Sequence, residues 1–511
     1  MRAPEQTLRL GTRGSLLAIA QSRLVADALM QKSPGLKIEL ITLETRGDLN
    51  QEISLSNVRD AEFFSAELDA ALIDARVDLC VHSLKDLGVN RPDSIVRAAI
   101  PIRENPRDVI VFRPTIIDRL KRGQPVRIGS SSARRRSNVK RFLGSALPRF
   151  GSAPKLQFLP IRGAVDHRLT RIRKDPDEAD ALDGVVLAIA GLARLWGDAD
   201  GQQTIEPLLS GVRWMVLPLS RCPAAPGQGA LAVECRRDDR HTRALLRTIH
   251  DPVSAALVQK ELEVLSALPE SRRSAVGATA LAKKSIGTLM YVRGGNSAGG
   301  RIEWRRPPRP SDPRSWDGGD LRQIVRRHPL PIDARTAARA AVFVAHWHAI
   351  TDAVSIADHS RVWVSGVRSW QKLARRGIWV EGCADNLGFA DVLPTLSCRV
   401  LRLPALQQWL VLTHSKALQS WRGTDVGHVH ATYSLDSITD IDGLPDLRKQ
   451  VAEATHFFWG SIDQYMRVKK WIPDGAHHAC GTGKTARALQ ETGITSLQMF
   501  PSRKEWQAWL R

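Results

Sequence analysis

The ten residues Arg127-Ile-Gly-Ser-Ser-Ser-Ala-Arg-Arg-Arg136 decide the fold class. They open on the end of an apolar strand, pass through a Gly/Ser turn and enter a helix with arginines in its first turns. Strand, tight turn and helix in direct succession are the repeating step of an α/β protein. Cations at a helix N-terminus oppose the macrodipole, so unpaired arginines there are locally unfavourable. A bound anion resolves that conflict, and the hydroxyl- and NH-rich turn would serve the same ligand. The bland alternative is a solvated run of charge.

Outward from this stretch the same step recurs. Lys37–Leu43, Ala66–Ile73, Leu79–His82 and Gly184–Ala190 alternate apolar runs with amphipathic helical stretches. That alternation predicts α/β units around a mostly parallel sheet over the first 240 residues. Leu10-Gly-Thr-Arg-Gly-Ser15 follows a short strand and opens a helix through Ala18, Gln21 and Leu24. A glycine turn carrying Arg13 into a helix N-terminus suits carboxylate or phosphate, though such entries are as often structural. Val81-His82-Ser83-Leu84-Lys85-Asp86 leaves a buried strand and gathers Ser83, Lys85 and Asp86 at its C-terminal end, where α/β sites form. An Asp there holds a developing cation, or else caps the next turn. Leu159–Arg168 and Ala190–Arg194 add Arg162, Arg168 and Arg194, the last read by itself as a surface residue. Pro223–Ala230 is a tight turn feeding the strand Leu231–Cys235. Further on come a helix (Pro252–Leu265), a charged loop (Pro269–Ser274) and short strands. Arg301–Pro331, rich in Arg, Pro and Asp, is the expected linker.

Composition bounds the function. A chain of 511 residues implies three or four domains. The longest apolar run, around Val185–Ala193, suits a buried strand and its turn rather than a membrane span. Met1–Leu10 lacks the apolar core of a secretory signal. Six scattered cysteines without a CxxC pair are expected to be reduced thiols of a cytoplasmic protein. No metal site is expected. The net charge of +21 favours an anionic partner. Basic residues stand singly at the ends of apolar runs, which suits a small polyanion in a cleft better than nucleic acid. Aromatic content of 5% also gives few stacking surfaces for bases.

The last 180 residues carry an internal repeat. Gly366, Ser369, Leu373 and Gly377-Ile378 are matched by Gly483, Thr485, Leu489 and Gly493-Ile494. Each copy is preceded by an apolar strand, Ala341–Ala345 or His456–Trp459, and a helix. Ser369 or Thr485 is expected at a helix start and glycine at its C′ position. Two such halves make a bilobed α/β module. Gly481-Thr-Gly-Lys-Thr485 is no P-loop, because His478 stands where that motif needs glycine.

Thr12-Arg13-Gly14-Ser15, Arg46-Gly47-Asp48, Val81–Asp86, Gly129–Arg135, Arg162-Gly163 and Pro226-Gly-Gln-Gly229 occur together and in order. Over residues 7–300 the chain resembles the porphobilinogen deaminase (hydroxymethylbilane synthase) family. The resemblance implies two periplasmic-binding-protein-like lobes, 1–103 with 217–236 and 104–216, and a small α+β third domain, 237–300. It implies joining of four porphobilinogen molecules with loss of ammonia to a linear tetrapyrrole. Arg13, Ser131, Arg134, Arg135, Arg162, Arg168 and Arg194 match carboxylate- and cofactor-binding positions, Ser83 and Lys85 match substrate contacts, and Asp86 matches the catalytic acid.

Two positions depart from that pattern. The family anchors a dipyrromethane primer through a cysteine thioether; here Glu270–Gly277 occupies that loop and Arg272 the cysteine position. The flexible lid reads Val58–Phe64, with fewer cations. Arg272 leaves two enzymological readings open: a deaminase primed without a thioether, or a degenerate one that binds pyrroles without polymerising them. A basic nucleic-acid-binding protein is the third reading. Residues 332–511 resemble uroporphyrinogen-III synthase through Val342–Ala345, Gly366–Ser369, His456–Ser461 and Gly481–Thr485, after a linker at 301–331. That resemblance implies ring closure of hydroxymethylbilane, with Tyr433 and Thr485 as candidate site residues. The whole is expected to act as a monomer, away from membranes.

Overall fold

The computed structural model describes residues 6–44, 65–88, 91–294, 301–303, 307–319, 321, 325–331, 339–437, 445–494 and 496–511. The Arg46-Gly47-Asp48 motif and the Val58–Phe64 lid lie outside the described residues. The chain divides into two compact units. Residues 1–144, 150–281 and 290–301 form the first; residues 145–149, 282–289 and 302–511 form the second.

In the first unit β1 (Gln6–Arg13), β2 (Leu36–Leu43), β3 (Leu79–Ser83) and β4 (Ile95–Ala99) precede β5 (Asp108–Phe112), β6 (Val126–Gly129), β7 (Leu156–Leu159), β8 (Gly184–Ala188) and β9 (Arg213–Val216). The chain then returns with β10 (Leu231–Arg236). Two five-stranded sheets result, ordered β2-β1-β3-β10-β4 and β7-β6-β8-β5-β9. Their orders match place for place. The fourth strand of each, β10 or β5, has just crossed from the other sheet and runs antiparallel to its neighbours. Segments 100–107 and 217–230 are therefore the two crossings.

Apolar patterning explains these sheets. The helix Leu16–Lys32 begins at Ser15, whose Oγ accepts the Ala18 N–H at 3.3 Å. Its Val25, Ala26 and Leu29 pack on Leu8, Leu10, Leu79, Val81 and Val233. Each of these valines and leucines contributes about 1.5–3 kcal/mol when fully buried. β5 is buried along its whole length, as a strand covered on both faces must be. The apolar run at Val185–Ala193 resolves into β8 and, without an intervening turn, the helix Ile189–Gly197.

A three-stranded sheet follows, β11 (Val276–Lys283), β12 (Gly287–Gly294) and β13 (Arg301–Glu303). It packs on the helix Pro252–Ser266 through Val264, Val276, Ala278, Met290 and Val292. The expected loop at Pro269–Ser274 contains a short helix, Glu270–Arg273. Its charges suit a helix: Glu270 lies in the first turn and Arg272 and Arg273 in the last.

The second unit holds β14 (Ser315–Trp316), β15 (Val325–Pro329), β16 (Ala341–Val344), β17 (Arg361–Val364), β18 (Gly382–Cys383), β19 (Trp409–His414), β20 (His428–Ser437), β21 (His456–Trp459), β22 (His477–Gly481) and β23 (Leu497–Phe500). They form sheets of order β15-β20-β19-β16-β17-β18 and β14-β21-β22-β23. The repeat is visible as parallel triplets β16-β17-β18 and β21-β22-β23, each second strand leading into a helix, Val367–Ala374 or Lys484–Glu491. Neither Ser369 nor Thr485 caps its helix. Gly366 and Gly483 are the N-cap residues, so the two hydroxyls fall inside the first turn. Gly377 and Gly493 take positive φ just beyond the helix ends.

The stretch 301–331, expected as a linker, contains β13, β14 and β15. Trp316 explains why: its ring is 4% exposed in a core with Phe457 and Trp459. All six cysteines are free, Cys398 being the one not fully buried. No helix among the described residues is long and apolar enough to cross a membrane.

Candidate functional site

The centre of the first unit is a carboxylate that sequence patterning missed. Asp108, the first residue of β5, is fully buried. Its Oδ2 accepts from Arg134 Nη1 at 2.8 Å and its Oδ1 from Arg135 Nη2 at 2.7 Å. Gln228 Nε2 donates to the same Oδ1 at 2.9 Å and to the Pro106 carbonyl at 2.7 Å. Burial would raise the Asp108 carboxyl, but the two guanidiniums and the amide outweigh it and hold it well below the usual range. The conflict posed by arginines at the helix start of Ala133–Ala146 is thus met in part by the protein's own anion.

Around this hub lie the other cations. Lys85 and Asp86 end a 3₁₀ turn after β3, with Asp86 exposed and Lys85 half-buried. Burial lowers the Lys85 ammonium, Asp86 and Asp108 oppose that shift, and Arg135 and Arg134 reinforce it. Arg168 is pushed down to about 10 by burial and Arg135, with Asp86 opposing and Arg162 adding. These couplings bring Lys85, Asp86, Asp108, Arg134, Arg135, Arg162 and Arg168 into one neighbourhood. Its named cations outnumber its two carboxylates, so it attracts anions.

Backbone contacts fix the geometry. Ser131 Oγ donates to the Ile161 carbonyl at 2.7 Å and accepts the Ile161 N–H at 3.0 Å, locking the turn after β6 to the segment carrying Arg162. Arg168 Nε donates to the Gly163 carbonyl at 2.7 Å. Ser83 Oγ accepts from Gln21 Nε2 at 2.9 Å, tying β3 to the first helix. Arg13, at the end of β1, lies within electrostatic reach of His82. Gly227 has φ +74, and a Cβ there would stand 2.3 Å from Leu84 Cδ2, so only glycine lets the Pro226–Gly229 turn close on the Lys85–Asp86 turn.

Arg194 is not a surface residue. It is 8% exposed, its Nη2 donates to the Gly229 carbonyl at 2.6 Å, and burial pushes it down to about 10 against Glu104. The crossings are further clasped by Arg103 and Glu261, paired at 2.7 and 2.9 Å, with Glu261 also accepting the Gly227 and Ala280 N–H groups. Neither residue carried a sequence signal beyond being charged beside apolar neighbours. Asp69, His82 and Glu234 lie close enough for a metal, but Arg91 already bridges both carboxylates.

Arg272 is exposed on the Glu270–Arg273 helix. The first unit's thiols, Cys80, Cys222 and Cys235, are all buried. Burial raises Cys80 and pushes Cys235 up to about 11. None offers an accessible thiolate.

In the second unit Tyr433 is 4% exposed, between His348 and His414. Thr485 instead donates its hydroxyl to the Gly460 carbonyl at 3.3 Å. Lys484 Nζ stands 3.2 Å from the Trp421 ring centre, and Lys416 pairs with Asp463 at 2.7 Å, so both link the two sheets' loops.

The family model described as "Porphobilinogen deaminase, dipyromethane cofactor binding domain" matches residues 8–244. Porphobilinogen deaminase 1 of Streptomyces avermitilis is 40% identical over 296 residues, covering 57% of this chain and 84% of that protein. The Sorangium cellulosum porphobilinogen deaminase is 35% identical over 333 residues, 65% of this chain and 95% of its own length. That of Limosilactobacillus reuteri is 34% identical over 274 residues, 54% and 81%. On these matches the chain belongs to the porphobilinogen deaminase family.

Proposed function

We propose that the first unit is a hydroxymethylbilane synthase that joins four porphobilinogen molecules, in lobes of periplasmic-binding-protein type, with its primer held by ion pairs. The observation that carries this reading is that Lys85 and Arg168 lie within electrostatic reach of the exposed Asp86, with Arg134 and Arg135 in reach of Lys85 and Arg135 and Arg162 in reach of Arg168. Each pyrrole brings an acetate and a propionate, and each charge-assisted contact to them is worth about 1.5–3 kcal/mol. Arg162, Arg168 and Lys85 would bind these groups, with Arg13 and Ser83 at the end of the first sheet. Arg134 and Arg135, oriented by Asp108, would present their remaining donors. Asp86 would protonate the departing amine and then balance the cationic pyrrole.

The donor set fits the carboxylates of a dipyrromethane and does not fit its thioether. A bound dipyrromethane would supply the free pyrrole carbon on which the chain grows. The exposed Arg272 guanidinium and the buried thiols favour reversible holding of that group. Asp86→Asn tests the reading: bilane formation from porphobilinogen, followed by chromatography of the oxidised porphyrins, should be abolished in a protein of unchanged stability. Turnover like the wild type would remove Asp86 from the mechanism. Porphobilinogen binding without bilane in the wild type would favour the degenerate reading that Arg272 also allows.

The second unit is read as a uroporphyrinogen-III-synthase-like module that closes the bilane. Its repeated strand–helix halves, and the passages of the chain between the two sheets after β14 and after β20, support a cleft between them. We place the protein in the cytoplasm as a monomer that binds neither nucleic acid nor membrane.

A further inference from the structure

At the C-terminal ends of β16 and β19 the second unit gathers His346, His348 and His414 around the ring of Tyr433. Ring centres lie 4.9 Å apart for His346 and His348, 6.4 Å for His348 and Tyr433, and 5.7 Å for His414 and Tyr433. His346 Nδ1 accepts the His348 backbone N–H at 3.3 Å, and His414 Nδ1 is buried without a hydrogen-bond partner. The Trp347 ring lies tilted against His348, ring centres 3.5 Å apart, with Lys372 Nζ 5.1 Å from its centre.

The charged groups facing the three rings come from every surrounding element. They are Arg327 from β15, Arg368 and Lys372 from the helix Val367–Ala374, Lys416 from the turn after β19, and Asp463 from the helix Ile462–Val468. Tyr433 comes from β20. Asp463, the single carboxylate among them, is already engaged by Lys416 and Arg467, each at 2.7 Å. Burial first, and the cations second, push His346 and His348 down to about 4 and lower His414. The cluster therefore combines fixed positive charge, aromatic faces and three bases kept neutral by burial and by the cations beside them.

The geometry points to a polycarboxylate site at His346, His348, His414 and Tyr433, in which ligand binding draws protons from solvent onto the histidine rings. It rests on the reading that the second unit handles a polycarboxylate tetrapyrrole. A carboxylate entering beside the rings replaces the repulsion of Arg327, Arg368 and Lys372 with attraction, so binding and protonation are linked.

Titration calorimetry of the full-length protein with uroporphyrin III at pH 7, in phosphate and in Tris, measures the protons exchanged. Uptake of about one proton is expected, with affinity falling about tenfold per pH unit from 6 to 7.5. His346→Gln with His348→Gln should abolish the uptake; His348→Asn alone, at the less buried ring, should reduce it and guards against misfolding. Arg368→Gln should weaken binding and keep the uptake. Equal heats in both buffers, or uptake unchanged in both histidine variants, would overturn the site while leaving the tetrapyrrole reading intact. No binding by the wild type anywhere from pH 6 to 7.5 would overturn both.

Discussion

Asp108 shares one carboxylate between two guanidiniums and an amide, and that sharing separates two kinds of acidic residue in the first unit. Removing a partner from a buried pair leaves an uncompensated charge. Asp108→Asn should therefore cost about 3 kcal/mol or more, read as a lowered urea midpoint at constant m-value. Asp86, exposed at the end of its turn, should show the opposite pattern: little change in stability and full loss of turnover. Asp86 is legible in the sequence because Ser, Lys and Asp close a short apolar strand. Asp108 is not, because a charge ahead of an apolar run marks a strand's edge as readily as its core. Its burial depends on Arg134 and Arg135 arriving from 26 and 27 residues further on. Arg194 is misread for the same reason, since the carbonyl that holds it belongs to Gly229.

At the scale of elements, the turn Pro226–Gly229 acts as a wedge between the crossing segment 100–107 and the Leu84–Asp86 turn. Gly227→Ala would put a methyl group where Leu84 stands and strain a positive φ by about 1–2 kcal/mol. Turnover should fall by tenfold or more, with the loss in kcat, as Asp86 shifts with Leu84; unchanged kcat would mean the two turns move independently. Strands such as β21 and helices such as Ala66–Ile73 are legible because their apolar spacing is local. The helix at Glu270–Arg273 is hidden by its charges, which read as loop although their order suits the helix dipole. The strands within 301–331 are hidden differently. One tryptophan, Trp316, supplies most of the reason for β14, and its partners lie some 140 residues away.

For the whole molecule, acid should act unequally on the two units. His346 and His348 titrate near 4 when folded and near 6.5 when unfolded. Their folded values are depressed, so below about pH 6.5 the unfolded chain binds protons first and stability falls as pH drops towards 4. The slope is at most about 1.4 kcal/mol per pH unit for each ring, and less where solvent screens it. In the first unit the Asp108 hub keeps its charge far below this window, and His82, pushed down to about 3, carries the same dependence for one ring. The second unit adds lowered His414, His456 and His478 to His346 and His348. Scanning calorimetry from pH 7 to 5 should show the second unit's transition moving down first, and His346→Gln should flatten that dependence. Intact-mass measurement of the purified protein should show no covalent dipyrrole increment. Finding one would mean that a cysteine away from position 272 anchors the group and would refute ion-paired priming.

The position of β10 between β3 and β4 also dictates an order of assembly. Residues 108–216 contain every strand of the second sheet, whereas the first sheet stays split until residue 236 has left the ribosome. At ordinary rates of synthesis that is a wait of roughly seven to thirty seconds after β4 emerges. Through it, the paired β1, β2 and β3 present an unmatched edge to the cell. The middle of this chain is thus able to complete its sheet before the N-terminal segment, though that segment is made earlier.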